Sequence, residues 1–475
     1  MSSDLAVDAV VVGAGPNGLA AAAELVRNGL SVHVIEGDDR IGGGTRTAEL
    51  TLAGVLHDVC SAVHPLGVAS PFLTQLPLAD HGLEWVLPEI DVAHPLDGGR
   101  AGLLRRSIDD TAEGLGADGR SWRRTFGPLA ARADDLAHDV LGPMLRIPSH
   151  PLTLARFGLT AAQSARLVAR RWHTDEARGL FAGIAAHVLR PLGQPLTAAA
   201  GVTFIAQGHA HGWPVAKGGS SRITDALAAY VTAAGGTVET GRWIRTLDEL
   251  PPHRVALFDV SPRAFVRIAG RSMPGRARRA YERFRYGPAA FKLDLAVEGG
   301  IPWSNAAVGL AGTVHLGGTF EEVAAAESDV ARGRMPERPF VLVAQQSVAD
   351  PTRAVGDVHP VWTYAHVPSG WRGDASEAIL DQIERFAPGA RDRIVARAAR
   401  TPDDLEAYNP NYVGGDIAVG ANDPYQLIVR PRLSLDPYST GVDGTFLCSS
   451  ATPPGAGVHG MCGYHAARSA LRSLR

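Results

Sequence analysis

The chain has 475 residues, with 46 Lys and Arg against 49 Asp and Glu, a formal charge of −3, and 45% hydrophobic residues. A chain of that size buries more than one core, and the balanced charge excludes nucleic acid as a partner because no basic excess exists to neutralise phosphates. The cysteines Cys60, Cys448 and Cys462 form neither a C-x-x-C pair nor a ligand spacing, so neither a redox dithiol nor a metal site is expected, and a reducing, cytoplasmic setting fits.

The N-terminus carries Asp4 and Asp8 and no Lys or Arg before the first apolar run, unlike a signal peptide. Residues 7–12 (VDAVVV) are a short apolar run, as expected of a strand buried on both faces. The loop Gly13, Ala14, Gly15, Pro16, Asn17, Gly18 then completes G-x-G-x-x-G. Its first glycine allows a tight turn, its second lets backbone approach a pyrophosphate, and its third lets helix pack on strand. An alanine-rich helix over 19–28 should end at Gly29, and a strand over 31–35 delivers Glu36 and Gly37, where a carboxylate can grip ribose hydroxyls. Gly114, Gly116 and Gly119 repeat the spacing, but polar RRSIDDTAE precedes them, so that copy reads as a loop leading into a helix near Trp122.

Beyond the second strand lie DRIGGGTRT, residues 39–47, and LHDVCSAVHPL, with His57, Asp58 and His64. Residues 91–208 read as helix-rich. Within them, Arg156, Arg166, Arg170 and Arg171 interleave with Leu, Phe and Val, the pattern of a solvated helix face over a core, with a peripheral membrane contact as the alternative. The longest uncharged stretch, Pro191–Ala216, holds three prolines, two glutamines and two histidines, which argues against a membrane span. Residues 211–244 read as a glycine turn with Lys217, a helix, and a strand over 238–244 that ends at Ile244.

In AAFKLDLAV, Phe291, Leu293, Leu295 and Val297 point one way and Ala290, Lys292, Asp294 and Ala296 the other. Lys292 is one of only two lysines, which draws attention to it. Its bland reading is a pair with Asp294 on a solvent-facing strand. Further strands are expected in FVLVAQQ and VWTYAHV, and a helix in SEAILDQIERF. The chain closes with a strand over 445–448, a Gly/Pro loop and a helix from about Val458, whose free N–H groups would favour negative charge.

DRIGGGTRT resembles the second glycine motif of the glutathione-reductase-like flavoproteins in their amine oxidase and phytoene desaturase branch. Arg40, Gly42, Gly43 and Thr47 fit it, and Gly44 stands where that motif carries arginine. TPPGAG and the following helix resemble the final flavin motif of the phytoene desaturase-like oxidoreductases, and Gly287 to Phe291, leading into Lys292, resembles the G-x-x-x-K strand of the amine oxidases.

The resemblance implies an α/β fold: a Rossmann-like FAD-binding domain from residues 1–90, 209–265 and 430–475, with a mixed α+β substrate domain from 91–208 and 266–429 inserted between its segments. It implies FAD as cofactor. Besides residues 13–18, Glu36 and Gly37, the implied contacts are Arg40, Gly43, Gly44, Thr45, Ile244, Ser449, Ser450, Gly457, Val458 and His459. It also implies Lys292, His459, His64 and Tyr412 as candidates for the reacting centre, with Asp416 at the mouth and Lys292 holding a water against the flavin. The expected activity is hydride removal from a largely apolar substrate, of polyene or isoprenoid type, with O2 or a quinone as electron acceptor. An amine or amino-acid oxidase using Lys292 and O2, or a non-catalytic FAD-binding interaction protein, are the competing expectations.

Overall fold

The computed structural model describes residues 7–475; Asp4 and the rest of residues 1–6 lie outside the described residues. Val7–Val12 forms the centre of a five-stranded, wholly parallel sheet. The spatial order is Thr445–Leu447, His253–Phe258, Val7–Val12, Val32–Ile35, Thr237–Glu239. Strands from the start, middle and end of the chain therefore lie side by side, with their C-terminal ends on one edge. That edge is where an open parallel sheet binds ligands.

The helix after the first strand spans Pro16–Arg27, three residues earlier than its apolar pattern predicts, because Pro16 at its first position is preset for helical φ. Ala20 to Ala23 are all fully buried, so small side chains let two helices close on it: Ser221–Ala233 and the C-terminal Met461–Ser473. A Cβ at Gly18 would overlap the Gly13 carbonyl oxygen, and one at Gly463 would overlap that of Asn17. These two glycines set how closely strand, loop and helices approach. Gly29 has φ +82°, the left-handed residue expected after the helix.

The second sheet has seven strands in the order Ile394–Arg400, Ala289–Glu298, Val358–Val367, Val341–Ala344, Ala311–Leu316, Ile90–Pro95, Ala101–Leu104. Neighbours are antiparallel except Ala311–Leu316 beside Ile90–Pro95. Residues 91–208 thus add two strands to this sheet before becoming helical. Phe291, Leu293, Leu295 and Val297 pack with Ile379, Leu380, Ile383 and Phe386 of the Ser376–Phe386 helix, as the alternation predicts. The opposite face carries Ala290, Leu342, Trp362 and Tyr364 into the core shared with the helical segment. Lys292 and Asp294 lie on that face and are buried, so the solvent-facing reading of the strand is wrong.

Gly119 opens the helix Gly119–Ala130, and no strand leads directly into the 114–119 glycines, so the second G-x-G-x-x-G joins two helices. The arginine-bearing stretch is two helices, Pro151–Ala161 and Ala165–Ala169, broken where the Ser164 hydroxyl caps the second. Phe157, Ala161 and Val168 face the core, while Leu152 and Leu159 are exposed together with Arg156 and Arg166. Among the described residues no helix is long and apolar enough to cross a membrane.

Candidate functional site

Four consecutive strands of the parallel sheet end at one cavity of about 600 Å³: Val12 leads to Gly13, Ile35 to Glu36, Phe258 to Asp259, and Leu447 through Cys448 to Ser449. Its volume lies in the range of small-molecule and cofactor sites, roughly 300–1,000 Å³.

The first glycine loop forms the floor. Glu36 accepts from the Ala14 N–H at 2.7 Å and the Asp38 N–H at 3.0 Å, which fixes its carboxylate at the loop. Gly37 is covered by the Trp243 ring, which a Cβ there would meet at 2.7 Å, and Arg242, Ile244 and Arg245 line the same end. The second glycine motif folds back onto the first. Gly42 N–H donates to the Ala14 carbonyl at 2.9 Å, and a Cβ at Gly43 would lie 3.1 Å from the Gly15 Cα. The Tyr408 hydroxyl donates to the Gly43 carbonyl at 2.7 Å. A Cβ at Gly44 would overlap the Tyr412 hydroxyl, so Tyr412 fills the space of a side chain at the position where the motif carries arginine.

The chain end supplies the opposite wall. The Asn17 amide donates to Ser450 Oγ at 3.3 Å, tying the N-terminal helix to the C-terminal loop, and its amide oxygen has no partner. Gly457 and Val458 line the cavity, but the helix begins at Met461, later than its predicted start near Val458. His459 is fully buried, and its Nδ1 accepts the Met461 N–H at 3.0 Å; burial pushes the ring down to about 4, so it is a neutral helix cap. The remaining boundary comes from the antiparallel sheet: Leu342, Trp362 and Tyr364, the last two in edge contact with centroids 5.1 Å apart. His187 also lines the cavity. Its Nε2 lies 3.1 Å from that of His315, and burial pushes its pKa to about 3, so it is a neutral hydrogen-bonding group.

The cavity therefore gathers Gly13, Gly15, Pro16, Asn17, Glu36, Gly37, Gly43, Gly44, Ile244, Tyr412, Ser449, Ser450, Gly457 and Val458. The strand expected over 238–244 spans only Thr237–Glu239, so Ile244 lies beyond its end. Ala14, Gly18, Arg40 and Thr45 do not line the cavity but build its frame. Thr45 Oγ1 donates to the Gly42 carbonyl at 2.8 Å, and Arg40 reaches the Thr47 carbonyl at 3.4 Å.

His64 lies apart from the cavity, with Nε2 2.8 Å from Ser220 Oγ. His57 contacts Thr51 at 2.8 Å, Asp58 pairs with the buried Arg353 at 3.0 Å, and Asp416 accepts the Gly287, Ala418 and Gly420 N–H groups; all three are buried supports. Lys217 pairs with Glu84 at the surface.

Lys292 is bound by the Asp294 carboxylate, with the Trp362 ring centroid 5.6 Å from its Nζ. Burial lowers its pKa, opposed by Asp294. Its cross-strand partner Tyr364 lines the cavity and Lys292 does not, so the lysine stands behind the wall.

Sequence reasoning missed Asp259, Trp243, Tyr408, Trp362, Tyr364 and His187. Only the aromatic positions in VWTYAHV carried a signal, because alternation places Trp362 and Tyr364 on one face.

The residues present fit a dinucleotide. Carboxylate and glycine backbone stand at the C-terminal edge of a parallel sheet, and side chains at Gly15, Gly37 or Gly44 would run into Asp259, Trp243 or Tyr412. Residues 11–76 match the NAD(P)-binding Rossmann-like domain family. Over 98% of its length the chain is 26% identical to the Mus musculus pyridine nucleotide-disulfide oxidoreductase domain-containing protein 2, covering 94% of that protein. An oxidoreductase structure from Methanosarcina mazei superposes with a TM-score of 0.63 at 16% identity, over 98% of this chain and 100% of that one. Putrescine oxidase bound to putrescine superposes with a TM-score of 0.61 at 20% identity, over 99% of both chains. The chain thus carries a Rossmann-like nucleotide-binding start, is similar over nearly its whole length to a mammalian oxidoreductase domain-containing protein, and shares its fold with flavin amine oxidase and oxidoreductase structures.

Proposed function

We propose that the chain oxidises a small, largely apolar molecule by hydride removal and passes the electrons to O2 or a quinone. The observation that carries this reading is a single cavity that runs from the nucleotide-binding edge of the parallel sheet to the apolar face of the antiparallel sheet. FAD, when bound, supplies the hydride acceptor and the route to the second oxidant.

The chain's own residues hold and enclose. Glu36 offers its remaining lone pairs to ribose hydroxyls, and the glycine loops offer backbone to the pyrophosphate. Asn17, Ser449 and Ser450 supply polar groups where the two ends of the chain meet. Leu342, Trp362 and Tyr364 exclude water and orient an apolar substrate, and neutral His187 is the polar group able to accept or donate one hydrogen bond beside them.

An amine substrate is the second reading. Its support is the Trp362–Tyr364 pair on the cavity wall, since aromatic faces attract an ammonium group. Anaerobic mixing of the FAD-loaded protein with polyenes, amines and quinols tests both. Bleaching of the flavin band by an alkene-rich or other neutral apolar compound supports the first reading, bleaching by amines alone supports the second, and no bleaching by any compound contradicts both.

A further inference from the structure

Asp259 stands at the point where the glycine loop would receive phosphate. It follows the His253–Phe258 strand, and its backbone N–H is held by the Val12 carbonyl at 2.8 Å. Its Oδ2 accepts the Gly18 N–H at 2.9 Å, and a Cβ placed on Gly15 would lie 2.8 Å from that same oxygen. The carboxyl group therefore takes up one of the N–H groups at the start of the Pro16–Arg27 helix and faces the glycine over which a pyrophosphate passes.

Among the groups that act on its carboxyl none is a cation. The glycine loop contributes none, and the neighbouring strand contributes Glu36, a second carboxylate. From the other side come the thiols of Cys448 and Cys462, both pushed up by burial and hence neutral, the second to about 11. On the helix Pro262–Ala269 that follows Asp259, Arg263 is taken by Glu406, and Arg267 lines the same cavity. Burial pushes the Asp259 carboxyl up to about 7, with the Gly18 N–H opposing and Glu36 adding to the rise.

An ionised Asp259 would oppose a pyrophosphate electrostatically, whereas a protonated one can donate a hydrogen bond to it. We propose that Asp259 is a cofactor-binding residue that acts in its protonated form, so that FAD taken up by the apoprotein above the carboxyl's apo-state titration brings one solvent proton with it. This rests on the FAD reading of the cavity. Cofactor loading then depends on pH: affinity is full below the carboxyl's apo-state titration and falls above it, by about tenfold per pH unit for one linked proton.

The test is FAD binding to the apoprotein, followed by flavin fluorescence from about pH 6 to about pH 9, for the wild type and Asp259→Asn. The wild-type dissociation constant should rise about tenfold per unit above about pH 7, while the variant stays flat and binds about thirtyfold tighter at about pH 8.5. Calorimetry of the wild type in two buffers of different ionisation enthalpy should give about one proton taken up per FAD at about pH 8.5. This decides the matter even if the variant does not fold. A flat wild-type profile, an unchanged slope in a folded Asp259→Asn, or no proton uptake overturns the role of Asp259 while leaving FAD in place. A wild type that binds no FAD at any pH removes the cofactor reading itself, and this role with it.

Discussion

Replacing Lys292 by Met separates a structural ion pair from a charge that acts on the cofactor. Lys292 and Asp294 are paired with side chains 3% and 0% exposed, so the Met variant strips a carboxylate of its ion-pair partner in a dry interior. His57 Nδ1, which has no hydrogen-bond partner of its own, lies 3.5 Å from Asp294. Breaking a buried pair from one side costs about 3–5 kcal/mol near neutral pH. The stranded carboxylate escapes by taking a proton, so the cost should shrink by about 1.4 kcal/mol for each pH unit of acidification. In Lys292→Met/Asp294→Leu both charges are gone, and stability should return to within about 1–2 kcal/mol of the wild type. Urea unfolding at two pH values, followed by tryptophan fluorescence, measures all three quantities. A second readout is the rate at which reduced flavin returns to its oxidised form in O2. Because Lys292 does not line the cavity, that rate should change by less than about threefold, under about 0.7 kcal/mol in the barrier. A Met variant that unfolds like the wild type, or that loses tenfold or more in O2 reoxidation, refutes this reasoning.

Gly44→Ala should be destabilising by about 1–3 kcal/mol and should weaken FAD binding, since its Cβ overlaps the Tyr412 hydroxyl. Adding Tyr412→Phe leaves that Cβ 3.6 Å from the ring carbon, an ordinary contact, so the double variant should recover in thermal unfolding. Acid should unfold the protein steeply. Burial pushes His64, His94, His209, His459 and His465 to about 4 and His187 to about 3, below the unfolded value near 6.5. Their stabilising contribution is complete above about pH 6.5 and is lost as pH falls through that window, at up to about 1.4 kcal/mol per unit each, which urea titrations at stepped pH will show. Asp259 works in the opposite sense: with its folded value raised to about 7, the apoprotein loses stability as pH climbs from about 4 to about 7, and Asp259→Asn should remove that component.

The N-terminal nucleotide site was legible because each of its glycines answers a geometric demand. Gly18 meets the Gly13 carbonyl, Gly13 needs φ +102°, and Glu36 must follow the second strand. Asp259 carried no such signal: a single carboxylate after a strand has no spacing to betray it, and only the pairing of Val7–Val12 with His253–Phe258 brings it beneath the loop. Alternation correctly assigned Lys292 to a face but could not tell what covers that face, because depth depends on Val358–Val367 and the helical segment packed against it. His64 and His459 show the same limit. Their positions beside glycine motifs were legible, yet Ser220 and the Met461 N–H, which engage them, lie in a helix cap and a helix start whose geometry no periodicity reports.

The most direct test of the central claim is equilibrium titration of the purified, folded apoprotein with FAD, followed in the visible flavin band. Binding of one FAD per chain should saturate and should be weakened by Glu36→Ala, because the carboxylate fixed by Ala14 and Asp38 then no longer meets the ribose. Folded protein that stays colourless through the titration, or whose FAD uptake ignores the loss of Glu36, would contradict that claim.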